Sequence, residues 1–307
     1  MKVFKTILAV AVAAFMFASC EKEQYNTTLN KTEVINYSVV LDDVTGTRAS
    51  ELYDGSKINR LDYVVYMLNE DGTTYTATEV KEIGKEFTGS QTVSIELIKG
   101  QSYKITFIAY TDTQKGNWWS TANNQVITFD HSKVSANSDS GDLFVACIDH
   151  QKTSVSLKRP LALVNLMLSE SHVNTANNLG FNPANAQITY TVSNIAKSYD
   201  LLNGTVNGTV SGTDSCTLTN SFGAVANSYY TMSSVLVAAG QTVNCNIAKV
   251  TCTGLNDITL NKDITSIPAK ANYKTNVKIG SLLTNKFDYT LTVSAGFDTP
   301  DEEKLVD

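Results

Sequence analysis

The sequence is poor in the residues on which most catalytic and charge-based binding sites depend. Its 307 residues include 3 Arg, 3 His, 4 Pro and 2 Trp, and 18% of them are charged. A formal net charge of -6 argues against sequence-independent binding to nucleic-acid phosphates. No apolar run reaches the roughly 18 residues that a membrane-spanning helix needs. We therefore expect a protein that is not an enzyme and has no nucleic-acid partner.

Cysteine is also sparse, and its spacing does not suit a metal site. Cys147, Cys216, Cys245 and Cys252 include no CxxC pair, and the histidines at 131, 150 and 172 are scattered. We expect no metal and no cofactor. Cys245 and Cys252 lie on one predicted strand, where about 3.3 Å per residue separates them too far for a disulfide. The four thiols are interpreted as small buried side chains, with disulfides in an exported chain as the alternative.

Thr and Asn are abundant, with 37 and 27 copies, and favour strands joined by polar turns. Apolar and polar residues alternate most clearly in 103–110 and 287–295, and the apolar positions of 243–252 shift register near Ala248 and Lys249, which predicts a bulge. Many short strands predict an all-β protein of two tandem β-sandwich domains. We place these domains at 49–157 and 158–307, around Arg159 and Pro160, with 171–185 as a competing boundary.

Residues 1–19 have the features of an export signal. Lys2 and Lys5 precede an apolar stretch, which closes with Phe17-Ala18-Ser19-Cys20. This ending is similar to the lipobox of bacterial lipoproteins, so Cys20 is the predicted lipid attachment site, and the outer membrane, reached through that anchor, is the predicted location. The alternative is an ordinary signal peptide followed by a free thiol.

The segment 20–48 is too hydrophobic for a simple tether. It contains the apolar positions Val34, Ile35, Tyr37, Val39 and Leu41, in a run of about eight residues that would form a strand roughly 26 Å long. A small-residue stretch around Arg48 and Ala49 follows, and such exposed stretches are preferred sites of proteolysis. We interpret 20–48 as a lipidated pro-segment with a removable strand and Arg48–Ala49 as the scissile bond.

Taken in order along the chain, these features resemble the fimbrillins of type V pili of the Bacteroides group. The lipobox, the β-prone pro-segment, the Thr-Arg-Ala site, the stretches 157–166 and 267–277 and the ending Gly296-Phe297-Asp298 carry the resemblance. It implies two transthyretin-like sandwiches and export as a lipoprotein. It also implies that an arginine-specific protease removes the first strand and that the vacated groove accepts a strand from another pilus subunit.

Two questions stay open at this point. The resemblance implies a C-terminal donor strand, for which 287–295 has the right alternation, but the polar tail 298–307 differs from a spare strand, so stalk, anchor and tip roles all remain. The alternative function is an uncleaved monomeric surface lipoprotein that binds a glycan or a host protein. Its ligand platform would be Trp118 and Trp119, for which core packing is the competing interpretation.

Overall fold

The computed structural model describes residues 31–41, 55–84, 87–112, 118–122, 124–138, 141–177, 180–206, 213–223, 225–226, 228–282 and 287–295. The strands up to residue 157 are β1 (Thr32–Leu41), β2 (Arg60–Leu68), β3 (Tyr75–Gly84), β4 (Ser90–Ile98), β5 (Tyr103–Tyr110), β6 (Trp119–Ala122), β7 (Val126–Phe129), β8 (Leu143–Asp149) and β9 (Ser154–Leu157). Cys20, Arg48 and Ala49 lie outside the described residues.

Eleven further strands and one α-helix follow. The strands are β10 (Leu161–Ser169), β11 (Ala186–Ala196), β12 (Ser198–Asp200), β13 (Thr205–Val206), β14 (Thr213–Ser221), β15 (Val225–Ala226), β16 (Tyr229–Ala238), β17 (Gln241–Cys252), β18 (Ile258–Ala269), β19 (Tyr273–Ser281) and β20 (Asp288–Ala295). The helix is α1 (Glu170–Asn177), and short 3-10 helices cover His131–Lys133 and Pro183–Asn185. Within the described ranges, no helix is long and apolar enough to cross a membrane.

The fold is all-β and sandwich-like, as predicted. The described strands form a three-stranded sheet β4-β1-β9, a five-stranded sheet β15-β16-β10-β19-β20, and three four-stranded sheets β14-β11-β17-β18, β13-β12-β7-β6 and β3-β2-β5-β8. Alternating side chains of β4-β1-β9 and β3-β2-β5-β8 meet in one core, which includes Tyr37, Ile95 and Phe107. The larger core lies between the five-stranded sheet and β14-β11-β17-β18.

The chain around residue 158 leaves one sheet and enters another. β9 belongs to the three-stranded sheet, whereas β10 lies at the centre of the five-stranded sheet. Between them, Arg159 is 3% exposed and pairs with Asp142, with Nε to Oδ1 at 2.7 Å and Nη2 to Oδ2 at 2.8 Å. Its guanidinium also lies 4.4 Å from the ring centroid of Phe144. The domain bounds themselves stay a prediction, because β12 pairs with β7 across this point.

β17 contains the predicted bulge. Thr189 of β11 faces Lys249 and Tyr190 faces Ile247, so Ala248 is the extra residue. The bulge keeps Cys245, Val250 and Cys252 on the buried side of the strand. All four described cysteines are free, and Cys216, Cys245 and Cys252 are buried. Burial raises the pKa of the Cys216 thiol to about 11 and that of Cys245 to about 12, so both thiols are protonated and packed as apolar groups.

Candidate functional site: the groove filled by β1

β1 is the middle strand of its sheet, so both of its neighbours depend on it. It pairs antiparallel with β4 from Thr32 opposite Ile98 to Val40 opposite Ser90. It pairs parallel with β9 over Ser38–Leu41. Without β1, β4 and β9 would face each other across a gap one strand wide, with unpaired backbone N–H and C=O groups on both sides.

The side chains of β1 alternate between the core and the solvent. Tyr37 and Val39 are fully buried and Leu41 is 8% exposed, whereas Val34 is 63% exposed. Ile35 is half-buried and packs against the same core. The predicted removable strand is therefore present as a strand whose apolar face closes the first core.

Tyr37 crosses the core and contacts the opposite side of the sandwich. Its ring centroid lies 5.7 Å from that of Phe107 on β5. Its hydroxyl donates a hydrogen bond of 2.8 Å to the backbone carbonyl of His150. Burial raises the pKa of Tyr37 to about 12, and the negative charge of Glu33 adds to this effect. The phenol is therefore a neutral donor at any physiological pH.

β1 is held more firmly at its C-terminal end than at its N-terminal end. Over Ser38–Leu41 it has a strand on each side, and Leu41 N–H also donates to the Gly89 carbonyl at 2.9 Å. In the described part of the chain, no second strand pairs with Thr32–Tyr37, whose one strand neighbour is β4. The N-terminal half is fixed by exposed contacts such as the 2.7 Å hydrogen bond from Ser94 Oγ to Asn36 Oδ1.

The two described arginines are held by ion pairs within the fold. Arg60 at the start of β2 donates through Nε to Asp112 Oδ1 at 2.6 Å, and its Nη2 lies 2.5 Å from the same oxygen. Arg159 is buried against Asp142. A protease needs an extended segment in its cleft, so these contacts disfavour cleavage at both positions. Arg48, the predicted cleavage site, lies outside the described residues.

Trp118 and Trp119 are core residues, which corrects the interpretation as an open platform. Both are 2% exposed. Trp118 stacks on Phe129 at a centroid distance of 5.2 Å, and Trp119 meets Tyr110 edge-on at 5.1 Å. The two rings lie in the larger core together with residues from both sides of position 158. Trp118 precedes β6 and Trp119 is the first residue of that strand, so strand alternation does not send the two rings to opposite faces, and Ser120 is the exposed neighbour.

Titratable side chains do not form a metal-binding cluster in the described ranges. His131 is fully buried, and its Nδ1 lies 3.4 Å from Asp214 Oδ2. Desolvation lowers the pKa of His131, although Asp214 opposes that shift. His150 Nδ1 lies 3.2 Å from the Tyr103 backbone nitrogen. Among the residues whose structure is described, no three His, Cys, Asp or Glu side chains could share a metal ion.

The sequence matches a protein family, and the fold is similar to that of solved structures. Residues 25–306 match the model of DUF6562, a family of unknown function. A candidate cell adhesion protein from Bacteroides ovatus has a similar structure, with a TM-score of 0.50 and 11% identity over 88% of this chain and 100% of that one. At such low identity the similarity concerns the fold. No curated protein matches the sequence.

Two fimbrial proteins from Porphyromonas gingivalis give lower structural scores. The tip protein Mfa3 has a TM-score of 0.47 and 10% identity over 86% of this chain and 100% of its own. The anchor protein Mfa2 has a TM-score of 0.45 and 12% identity over 86% of this chain and 98% of its own.

Proposed function

The chain belongs to DUF6562, a family of unknown function, and we propose that this member is a structural and adhesive subunit of a type V pilus. It would be exported as a lipoprotein anchored through Cys20, cut between Arg48 and Ala49, and assembled when a strand of another subunit replaces β1. One observation carries the proposal: the middle strand of a three-stranded sheet lies directly before the segment that contains the predicted cleavage site.

The position of β1 explains why its removal would drive assembly. Tyr37, Val39 and Leu41 leave the core with it, and fully burying an apolar side chain contributes about 1.5–3 kcal/mol. The backbone groups of β4 and β9 would lose their partners at the same time. A strand from a second subunit would restore both the ladder and the burial, which is how strand addition contributes affinity and specificity.

The choice of Arg48 follows from where the other arginines lie. Arg60 and Arg159 are tied to Asp112 and Asp142 in the folded chain. An arginine-specific protease acting on the folded protein would thus favour Arg48. The resemblance in fold to a candidate adhesion protein supports an adhesive role, and we propose the outer membrane surface as its location and other pilus subunits as its partners.

The N-terminus of the protein recovered from the cell surface tests this function. Sequencing should begin at Ala49. We expect the wild type to form a ladder of polymers in denaturing gels of unheated samples, and Arg48→Ala should abolish it. Lys31→Ala, a change at a basic residue directly before β1, serves as the matched control and should leave the ladder unchanged. Polymers that persist in Arg48→Ala would contradict assembly gated by cleavage.

Recovery of the protein solely in the form that begins at Cys20 would instead favour the alternative function. That alternative is an uncut monomeric surface lipoprotein that binds a glycan or a host protein. It predicts the same fold and the same lipid anchor, but Arg48→Ala would then leave the N-terminus and the size of the surface protein unchanged.

A further inference from the structure

The outward face of the sheet β14-β11-β17-β18 is a regular array of hydroxyl and amide side chains, here named the polar face. One transverse row consists of Thr217, Thr191, Asn246 and Asp263, and the hydroxyls of Thr217 and Thr191 lie 2.8 Å apart. Neighbouring strands are about 4.8 Å apart, and successive outward residues along one strand about 6.7 Å apart. The polar face is thus a regular grid of hydrogen-bonding groups.

A second row repeats this chemistry. It consists of Thr219, Thr189, Lys249 and Thr259, and the hydroxyls of Thr219 and Thr189 lie 3.0 Å apart. Each hydroxyl offers one donor and two acceptor positions, so a threonine pair that shares one hydrogen bond can still bond to a ligand.

The charges of the two rows are already partnered. Asp263 Oδ1 accepts a hydrogen bond of 2.7 Å from Asn246 Nδ2. Lys249 Nζ lies 3.0 Å from Asp257 Oδ2. The polar face therefore presents nearly neutral hydrogen-bonding chemistry, although the protein as a whole has a formal net charge of -6.

A third row of the polar face, Ser221, Gln187 and Thr251, borders a recess of about 550 Å³. Its wall includes Asn185, Gln187, Ser221, Thr251, Thr253 and Asp257. Leu255 also lines it and is 38% exposed, which provides one apolar surface beside the polar groups. The volume of the recess lies within the range of about 300–1,000 Å³ that small-ligand sites have, but its lining is more polar than that of most such sites.

The chemistry of this surface selects one class of partner. Protein interfaces centre on aromatic and apolar side chains, membranes require an apolar or basic surface, and nucleic acids require Lys and Arg. A neutral carbohydrate presents hydroxyl groups in all directions and a ring whose apolar face suits a side chain such as Leu255. We propose that the polar face binds a neutral polysaccharide, with one sugar unit in the recess.

Affinity electrophoresis of the purified full chain tests this site. Native gels would contain mannan, dextran, galactomannan or soluble starch, with polygalacturonate and heparin as anionic comparisons. We expect retardation by at least one neutral polysaccharide. Gln187→Ala/Thr251→Ala should weaken that binding at least ten-fold because the cross-strand pair in the recess is lost.

Ser90→Ala/Thr92→Ala is the matched control, since it removes two exposed hydroxyl groups from β4, which belongs to another sheet. There the exposed side chain of Val40, opposite Ser90, interrupts the polar surface. The control variant should bind as the wild type does.

If the recess variant fails to fold, Thr191→Val/Thr217→Val removes hydroxyls while keeping β-branched side chains and should weaken binding similarly. No retardation by any neutral polysaccharide, retardation by the anionic ones alone, or unchanged binding in the folded variants would overturn the proposal. The assay uses uncut protein, so it does not depend on cleavage at Arg48.

Discussion

Tyr37 attaches β1 to the opposite sheet through both its ring and its hydroxyl. We expect Tyr37→Phe to lower the free energy of unfolding of the uncut protein by about 1 kcal/mol, because the ring contact with Phe107 remains and the hydrogen bond to the His150 carbonyl is lost. Urea unfolding measures this difference. Tyr75→Phe, on the edge strand β3, is the matched control and should have little effect. Equal effects of the two substitutions would contradict a special role of the Tyr37 hydroxyl.

The pH dependence of stability provides a second measurement on the same variant. The pKa of Tyr37 is raised from 10.0 to about 12 in the folded protein, first by burial and then by Glu33. The neutral phenol therefore contributes its full stability below pH 10, and this contribution is lost as the pH rises toward about 12. Wild-type stability should fall more steeply than that of Tyr37→Phe across this range. Parallel curves would show that Tyr37 is not the titrating group.

Individual side-chain environments were the least predictable part from the sequence. The sequence predicted a hydrophobic strand around Tyr37 and Val39, and the structure buries these two side chains because a strand with one covered face buries every second residue. For Trp118 and Trp119 the sequence left two interpretations open, a ligand platform and core packing, and the structure shows both rings in the core. The sequence alone could not decide between them, because residues from beyond position 158 contribute to the core around both rings and no local pattern encodes that contact.

At the scale of elements, β1 consists of two halves with different support. Amides of Ser38–Leu41 should exchange with deuterium more slowly than those of Glu33–Asn36, because the first group has strands on both sides and the second has β4 alone. Hydrogen exchange with short proteolytic fragments resolves the two halves. Equal protection along the whole strand would contradict this asymmetry, and β1 would then open as one unit.

Strands with one apolar face could be predicted from the sequence, whereas polar edge strands could not. β5 was predicted at its observed bounds, 103–110. β14 was missed because its Thr, Ser and Asn residues give no contrast between faces, and β18 because Pro268 and several polar residues interrupt its pattern. Both lie at the edges of one sheet, where exposed polar residues limit aggregation. That same sheet carries the polar face, which is why sequence periodicity gave no indication of it.

For the whole molecule, the class of fold followed from the sequence, but the pairing of distant segments did not. β12 pairs with β7 from the other side of residue 158, and the hydroxyl of Thr106 donates to the Leu201 carbonyl at 3.1 Å. Such contacts join residues far apart in sequence, and their register depends on how the sheets stack. Of the candidate groove, the hydrophobic strand β1 was predicted from the sequence. Its two neighbours, β4 and β9, were identified only in the structure.

Removing β1 should destabilise the first core, and adding this strand back as a separate peptide should restore its stability. A chain that begins at Ala49 loses three buried side chains, each contributing about 1.5–3 kcal/mol. At roughly 2–4 °C per kcal/mol for a protein of this size, its melting temperature should fall by roughly 10–35 °C. A synthetic peptide covering 31–41 should restore most of this loss and should block self-association of the shortened chain. The same peptide with Tyr37→Ser and Val39→Ser is the control and should do neither. A shortened chain that melts like the intact protein would show that β1 is dispensable, and strand exchange would then lack its driving force.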